Sequence, residues 1–395
     1  MIVPIMSPDV ENAHFPIDVA KTSEGSLASS IPPRLDALTS LRIFAALHVV
    51  LFHMRVTGIL AGGPWVYQNF AGIGYIGVNF FFVLSGFILV YTYAGHSLNP
   101  RQFWQARFAR IYPAYVLSLV VSAPFFFVAV RHLNLPFFSW SKNHLLLACI
   151  LTVCLLQSWV PQAALTWNSV SWSLSVEAFF YSVFPSLAAY IKRLSPRKVA
   201  LAGAGFSFLS LAFSLFFLLL HPDGVDKVNS EATDLFWKNM LSFNPVVRAP
   251  EFLVGICTGT LFLKTRRNPK LATPLAVAGL LVLATLTLVA HRLPRPLISP
   301  GFLSPAFAAA IYGIALGPRW ASFLRWPLLV LLGDASYSLY LLHSTVIAQV
   351  SQEMFFLPAG IRCAGSLVAT TVAALLCYHL VEKPARKLLR RREKN

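Results

Sequence analysis

Eleven apolar runs, each of roughly the ~20 residues needed to cross a bilayer, succeed one another along this 395-residue chain and are separated by clusters of Arg and Lys. They lie roughly at 38–57, 74–94, 111–130, 143–159, 171–190, 199–220, 247–263, 271–290, 299–317, 328–349 and 361–381. Lipid offers no partner to a backbone N–H or C=O, so runs of this length are expected to cross as helices, and the fold class is all-α: a polytopic membrane helix bundle. Composition agrees, with 56% hydrophobic and 12% charged residues, far from a soluble domain.

The net charge of +17 resembles a nucleic-acid footprint only in magnitude. No basic stretch alternates with an aromatic platform of the kind that single strands need, so no nucleic-acid partner is expected. The basic residues instead gather between apolar runs, as in cytoplasmic loops facing anionic lipid. The clusters are Arg101, Arg107 and Arg110; Lys192, Arg193, Arg197 and Lys198; Lys264, Arg266, Arg267 and Lys270; and the terminal RKLLRRREK.

These clusters test the number of crossings. If 143–159 crossed fully, the 192–198 cluster and all later ones would face outward. If it does not, every cluster falls inside, which predicts about ten transmembrane helices, one re-entrant or outer-leaflet helix at 143–159, and both termini in the cytoplasm.

The organisation expected is a flexible cytoplasmic tail over 1–33, a transmembrane domain over 34–389 and a basic cytoplasmic tail over 390–395. MIVPIM is too short for the core of a cleavable signal, and the residues after it are polar. Outer loops are short except at 221–246, which carries Asp223, Asp226, Glu231 and Asp234. The five cysteines sit inside apolar runs and read as small hydrophobes. No ligand cluster has metal spacing, so no metal is expected.

Ionisable side chains at membrane depth are costly and are functional candidates by default. In TSLRIFAALHVVLFHM, Arg42 and His53 are separated by about three helical turns and share a face, whereas His48 lies about 140° from His53. His53 can be a general base, a proton relay or a hydrogen-bonded packing residue. In RQFWQARFARIYP, Arg107 and Arg110 stand one turn apart at the cytoplasmic entrance of their span, able to clamp phosphate oxygens or simply to anchor the helix.

In NSVSWSLSVEAFFY, Glu177 lies inside the outer end of its span beside Trp172, Ser173 and Ser175, at a height where His53 is a geometrically reasonable partner. Arg248 and Glu251, at i and i+3 in RAPEFLVG, can pair within one helix at its outer start. His343, in GDASYSLYLLH, is another imidazole at membrane depth. GVNFFFVLSGFIL offers Asn79, Ser85 and glycines, suited to close helix packing; Ser85 does not read as a nucleophile.

With these residues in view, the chain resembles the acyltransferase 3 family of membrane O-acyltransferases, which modify bacterial surface polysaccharides, lipopolysaccharide, Nod factors and macrolides. The resemblance runs from about residue 34 to 389. It rests on LRIFAALHVVLFH, GVNFFFVLSGFIL, RFARIYP, SWSLSVEAFFY, RAPEFLVG, GDASYSLYLLH and VEKPAR, in that order. Members often carry Asp where this chain has Thr39 and Asn79.

The resemblance implies transfer of an acyl group, usually acetyl, from cytoplasmic acyl-CoA to a hydroxyl of a cell-surface or exported glycan: exopolysaccharide, lipopolysaccharide or a lipid-linked sugar. It implies a multi-pass protein of the bacterial inner (plasma) membrane, with lipid, the glycan acceptor and polysaccharide biosynthesis or export proteins as partners. Arg107 and Arg110 would hold the donor, His53 would be the base, Glu177 would orient or charge-stabilise it, and Arg42 would stabilise charge on the thioester oxygen or guide the donor's arm. Arg248, Glu251, His343 and Trp172 would bind substrate or support the fold. Two alternatives stay open: O-acylation of a small secondary metabolite such as a macrolide, and a transporter or flippase using His53, Glu177 and Arg42 as a path without acyl transfer.

Overall fold

The structure, a computed structural model, describes residues 33–60, 64–94, 98–132, 136–228, 235–300 and 302–391. Sixteen helices and no strand are present among them. The first eight are α1 (Asp36–Val56), α2 (Trp65–Gly72), α3 (Ile76–Thr92), α4 (Pro100–His132), α5 (Pro136–Asn143), α6 (Leu145–Val153), α7 (Trp172–Arg193) and α8 (Pro196–Leu220). The rest are α9 (Phe236–Phe243), α10 (Pro245–Lys264), α11 (Ala272–Val289), α12 (Arg295–Ile298), α13 (Ser304–Ala315), α14 (Pro327–Glu353), α15 (Ala359–Cys377) and α16 (Lys383–Arg391).

The chain is thus an all-α polytopic bundle, and each of the ten expected spans coincides with a helix. Among the described residues, seven helices are long and apolar enough to cross a membrane, or eight if α2 and α3, bent by 45° at their junction, count as one broken span. The remaining two expected spans differ for separate reasons. Helix α13, at 12 residues, reaches only ~18 Å, short of a ~30 Å hydrocarbon core. Helix α14 has ample length but carries Asp334, His343 and several serines, which dilute its apolar character.

The run at 143–159 does not form one helix. Helix α6 stops after nine residues, ~14 Å. The chain then passes through three single 3₁₀ turns, at 157–159, 161–163 and 169–171, before α7 begins. Gln157, Ser158, Asn168 and Ser171 in this segment are buried; their side-chain donors are held by protein, whereas Gln157 Oε1 and Asn168 Oδ1 have no partner among the described residues. At 221–246, the Asp223 carboxylate accepts from the backbone N–H groups of Trp237 and Lys238, at 3.1 and 2.7 Å. Glu231 and Asp234, the tail over 1–32 and residues 392–395 lie outside the described residues.

Two close seams fix the helices that carry the ionisable groups. Where α3 meets α10, a Cβ on Gly86 would lie 2.7 Å from the Ile256 nitrogen, so only glycine lets the backbones approach. Where α1 meets α14, a Cβ on Gly333 would come within 3.1 Å of the Ser40 Cα and strike the Thr39 carbonyl. Between the seams, Val49, Val78, Leu174, Phe180, Phe252 and Leu341 belong to one buried cluster, with the Phe180 and Phe252 rings stacked at 4.5 Å.

Candidate active site

A cavity of about 230 Å³ opens among α1, α3, α4, α7, α14 and α16. Its lining includes four guanidiniums, those of Arg42, Arg107, Arg110 and Arg386, and two carboxylates, those of Glu177 and Asp334. Asp334 is already bound by Arg34, at 2.8 Å. Glu177 accepts from the Tyr181 hydroxyl and, at 3.4 Å, from Ser85 Oγ. Arg386 is paired with Glu382, a fully buried carboxylate that also accepts from Ser338 Oγ at 2.9 Å.

Arg107 lies among the rings of Tyr93, Phe103 and Tyr181, 5.7 to 5.9 Å from their centroids, and its Nε is buried without a partner. Among the described residues, neither Arg42 nor Arg110 has a hydrogen-bond or ion-pair partner. Four guanidiniums against two carboxylates in the lining leave an excess of positive charge that favours an anionic ligand, and the fork of a guanidinium matches phosphate oxygens.

Arg42, Arg107, Arg110 and Glu177 therefore meet as expected residues of one site, but His53 does not line it. Arg42 and His53 share α1, and eleven residues of helix put them ~16 Å apart along its axis. Nor does Glu177 reach His53. Helix α7 follows the buried Val170 and Ser171, its first turns carry the buried Ser173, Leu174, Ser175 and Val176, and Glu177 faces Ser85 and the cavity. The imidazole of His53 instead meets His343, with Nδ1 3.1 Å from His343 Nε2 and ring centroids 4.7 Å apart.

Tyr340 connects the two places. Its side chain lines the cavity beside Phe81, with the two ring centroids 6.2 Å apart, while its carbonyl lies 2.7 Å from His343 Nδ1. Its hydroxyl is fixed between Ser173 Oγ, at 2.8 Å, and the Val170 carbonyl, at 2.9 Å.

Arg248 and Glu251 do pair, at 2.9 Å, but as part of a larger buried network. The Asn79 amide donates to Glu251 at 2.7 Å and to the Pro300 carbonyl at 3.0 Å, and its oxygen accepts from Arg248 at 3.2 Å. Arg248 also donates to Ser299 Oγ at 2.9 Å and is covered by the rings of Phe82 and Trp172. Asn79, read from the sequence as a packing residue, is thus a hinge of the network. The sequence signal was present: members of the resembled family often have Asp there. Arg386 and Glu382 were also missed, although VEKPAR contains both.

A family model described as an acyltransferase domain matches residues 35–379. The chain belongs to the acyltransferase 3 family. Within this acyltransferase 3 chain, the match spans the helices that carry Arg42, His53, Arg107, Arg110, Glu177 and His343. Acyltransferase MdmB of Streptomyces mycarofaciens is 28% identical over 388 residues, 92% of this chain and 95% of that protein.

O-acetyltransferase OatA of Staphylococcus aureus is 24% identical over 384 residues, 90% of this chain and 58% of that one. YrhL of Bacillus subtilis, provisionally named a peptidoglycan O-acetyltransferase, is 27% identical over 387 residues, 89% of this chain and 55% of its own length. The chain therefore spans little more than half of these last two relatives. No solved structure matches it. This acyltransferase 3 member is an O-acyltransferase built on apolar helices. Among its described residues, no group of three or more His, Cys, Asp or Glu side chains is arranged to hold a metal ion.

Proposed function

We propose that the protein transfers an acyl group, acetyl first among them, from cytoplasmic acyl-CoA to a hydroxyl of a cell-surface or exported glycan. The observation that carries this reading is the cavity in which four guanidiniums face two carboxylates, and in which Arg42, Arg107 and Arg110 form no ion pair among the described residues. CoA brings phosphates at one end and a thin thioester arm at the other. The cavity is smaller than the ~300–1,000 Å³ typical of whole-ligand pockets, so it suits the arm, with the phosphates at its mouth.

In this reading Arg107 and Arg110 grip phosphate, at the end of α4 that carries the basic cluster beginning with Arg101. That places the cavity mouth, both termini and the basic clusters on the cytoplasmic side of the plasma membrane. The arm runs along α1 past Arg42 towards His53, and Phe81 and Tyr340 must shift to let it through.

His53 then takes the proton of the acceptor hydroxyl. The oxygen attacks the thioester carbon, and Arg42, ~16 Å back along α1, guides the arm that delivers it. The C–S bond breaks, and the CoA thiolate leaves with the proton that His53 returns. Ester and free CoA are the products.

The test is to supply purified protein with radiolabelled acetyl-CoA and a glycan acceptor, counting released thiol and labelled ester. Stoichiometric release that is lost in His53→Ala and in Arg107→Ala plus Arg110→Ala supports the reading. Movement of a glycan across vesicles with no CoA released would replace it with transport.

A further inference from the structure

We propose that His343 is a positioning residue that holds His53 in the tautomer whose Nε2 carries the free lone pair. The proposal rests on the reading of His53 as general base and adds how that base is kept ready. His343 is completely buried on α14, and the glycine seam at Gly333 sets its helix close against α1.

The protons follow from the partners. A carbonyl oxygen only accepts, so the 2.7 Å contact with the Tyr340 carbonyl puts the proton of neutral His343 on Nδ1 and leaves a lone pair on Nε2. That lone pair faces His53 Nδ1 at 3.1 Å, and the same nitrogen lies 2.9 Å from the Val49 carbonyl. An unprotonated His53 Nδ1 would set its lone pair against two others. A protonated one donates to both. Neutral His53 has a single ring proton, so its Nε2 is bare.

Most histidine bases are oriented by a carboxylate. Here a second neutral imidazole does the work, and no carboxylate hydrogen-bonds either ring among the described residues. This orients the base without burying a negative charge. When His53 takes the acceptor's proton on Nε2, its Nδ1–H stays donated to His343, so the positive charge is supported from behind. The proton later leaves with the CoA thiolate, and the pair returns to its starting state.

The experiment compares His343→Gln with His343→Asn under saturating glycan, measuring kcat and KM for acetyl-CoA, with acetyl-CoA protection against thermal unfolding as the control for folding. Gln can set an amide oxygen where Nε2 stood; Asn is too short. The expected result is a kcat about 100-fold lower for His343→Asn with KM little changed, and at least a tenth of activity kept by His343→Gln.

Equal kcat for the two variants overturns the proposal. So does activity below a hundredth in His343→Gln while it still binds acetyl-CoA. His53→Ala separates the two readings: full activity there removes the general base itself, whereas an inactive His53→Ala beside an unaffected His343→Asn removes only the role of His343.

Discussion

The Asn79 amide reaches across the α3–α10 seam to the Glu251 carboxylate at 2.7 Å, in a place from which water is excluded. One short polar side chain thereby joins two helices whose backbones touch through glycine. Removing either charged partner leaves the other buried and alone. Arg248→Met is expected to cost about 3–5 kcal/mol. Asn79→Leu, which removes hydrogen bonds but no charge, should cost ~1–3 kcal/mol. Denaturation in detergent, followed by tryptophan fluorescence, checks the order; an Asn79→Leu variant less stable than Arg248→Met contradicts it.

The arginine cavity gives a prediction about binding. Arg107→Ala plus Arg110→Ala should raise KM for acetyl-CoA on the order of 100-fold, because charged hydrogen bonds contribute ~1.5–3 kcal/mol each. Lysines at the same positions should recover only part, since they cannot offer the bidentate fork. Initial rates across an acetyl-CoA series provide the measurement, and a fall in kcat at constant KM would show that these residues do not hold the donor.

Much of the bundle was legible because a hydrocarbon solvent permits few solutions: long apolar runs become helices, and their order follows. The basic clusters likewise marked 143–159 as exceptional, and there the chain makes only the nine-residue α6 before irregular backbone. What spacing along one helix cannot give is the rotation of its neighbour. Arg42 and His53 were correctly placed on α1, yet the partner of His53 proved to be His343 because α1 packs on α14 through Gly333. Glu177 does not meet His53, because α7 packs so that its carboxylate faces Ser85 and Tyr181. Glu382 was hidden for a similar reason: it ends a short π-helical turn, Tyr378–Glu382, which rotates it inward to Ser338.

That turn carries its own prediction. Glu382 is buried at one end of its pair, whereas Arg386 is partly exposed to the cavity. Glu382→Ala leaves the guanidinium short of its partner and should destabilise the protein by about 3 kcal/mol. Glu382→Gln preserves the shape and an acceptor for Ser338 and should cost clearly less. Thermal melts of both variants decide this, and equal losses would mean that the shape of the turn matters and its charge does not.

The last prediction concerns the wall of the arginine cavity to which Phe81 and Tyr340 belong. Phe81 and Tyr340 both face the cavity, and Tyr340 alone of the two also contacts His343 through its carbonyl. Shortening Phe81 to Ala removes a ring from this wall without touching the imidazoles or the arginines. If the wall keeps water from the thioester until an acceptor arrives, Phe81→Ala should release CoA without acceptor several-fold faster than the parent, while ester formation falls. Truncating a largely buried Phe also costs up to ~3–5 kcal/mol, so the assay belongs at a temperature where the variant is folded. Thiol release with and without glycan measures the ratio directly. An unchanged ratio in a folded variant would mean that Phe81 fills space and does not separate donor from water.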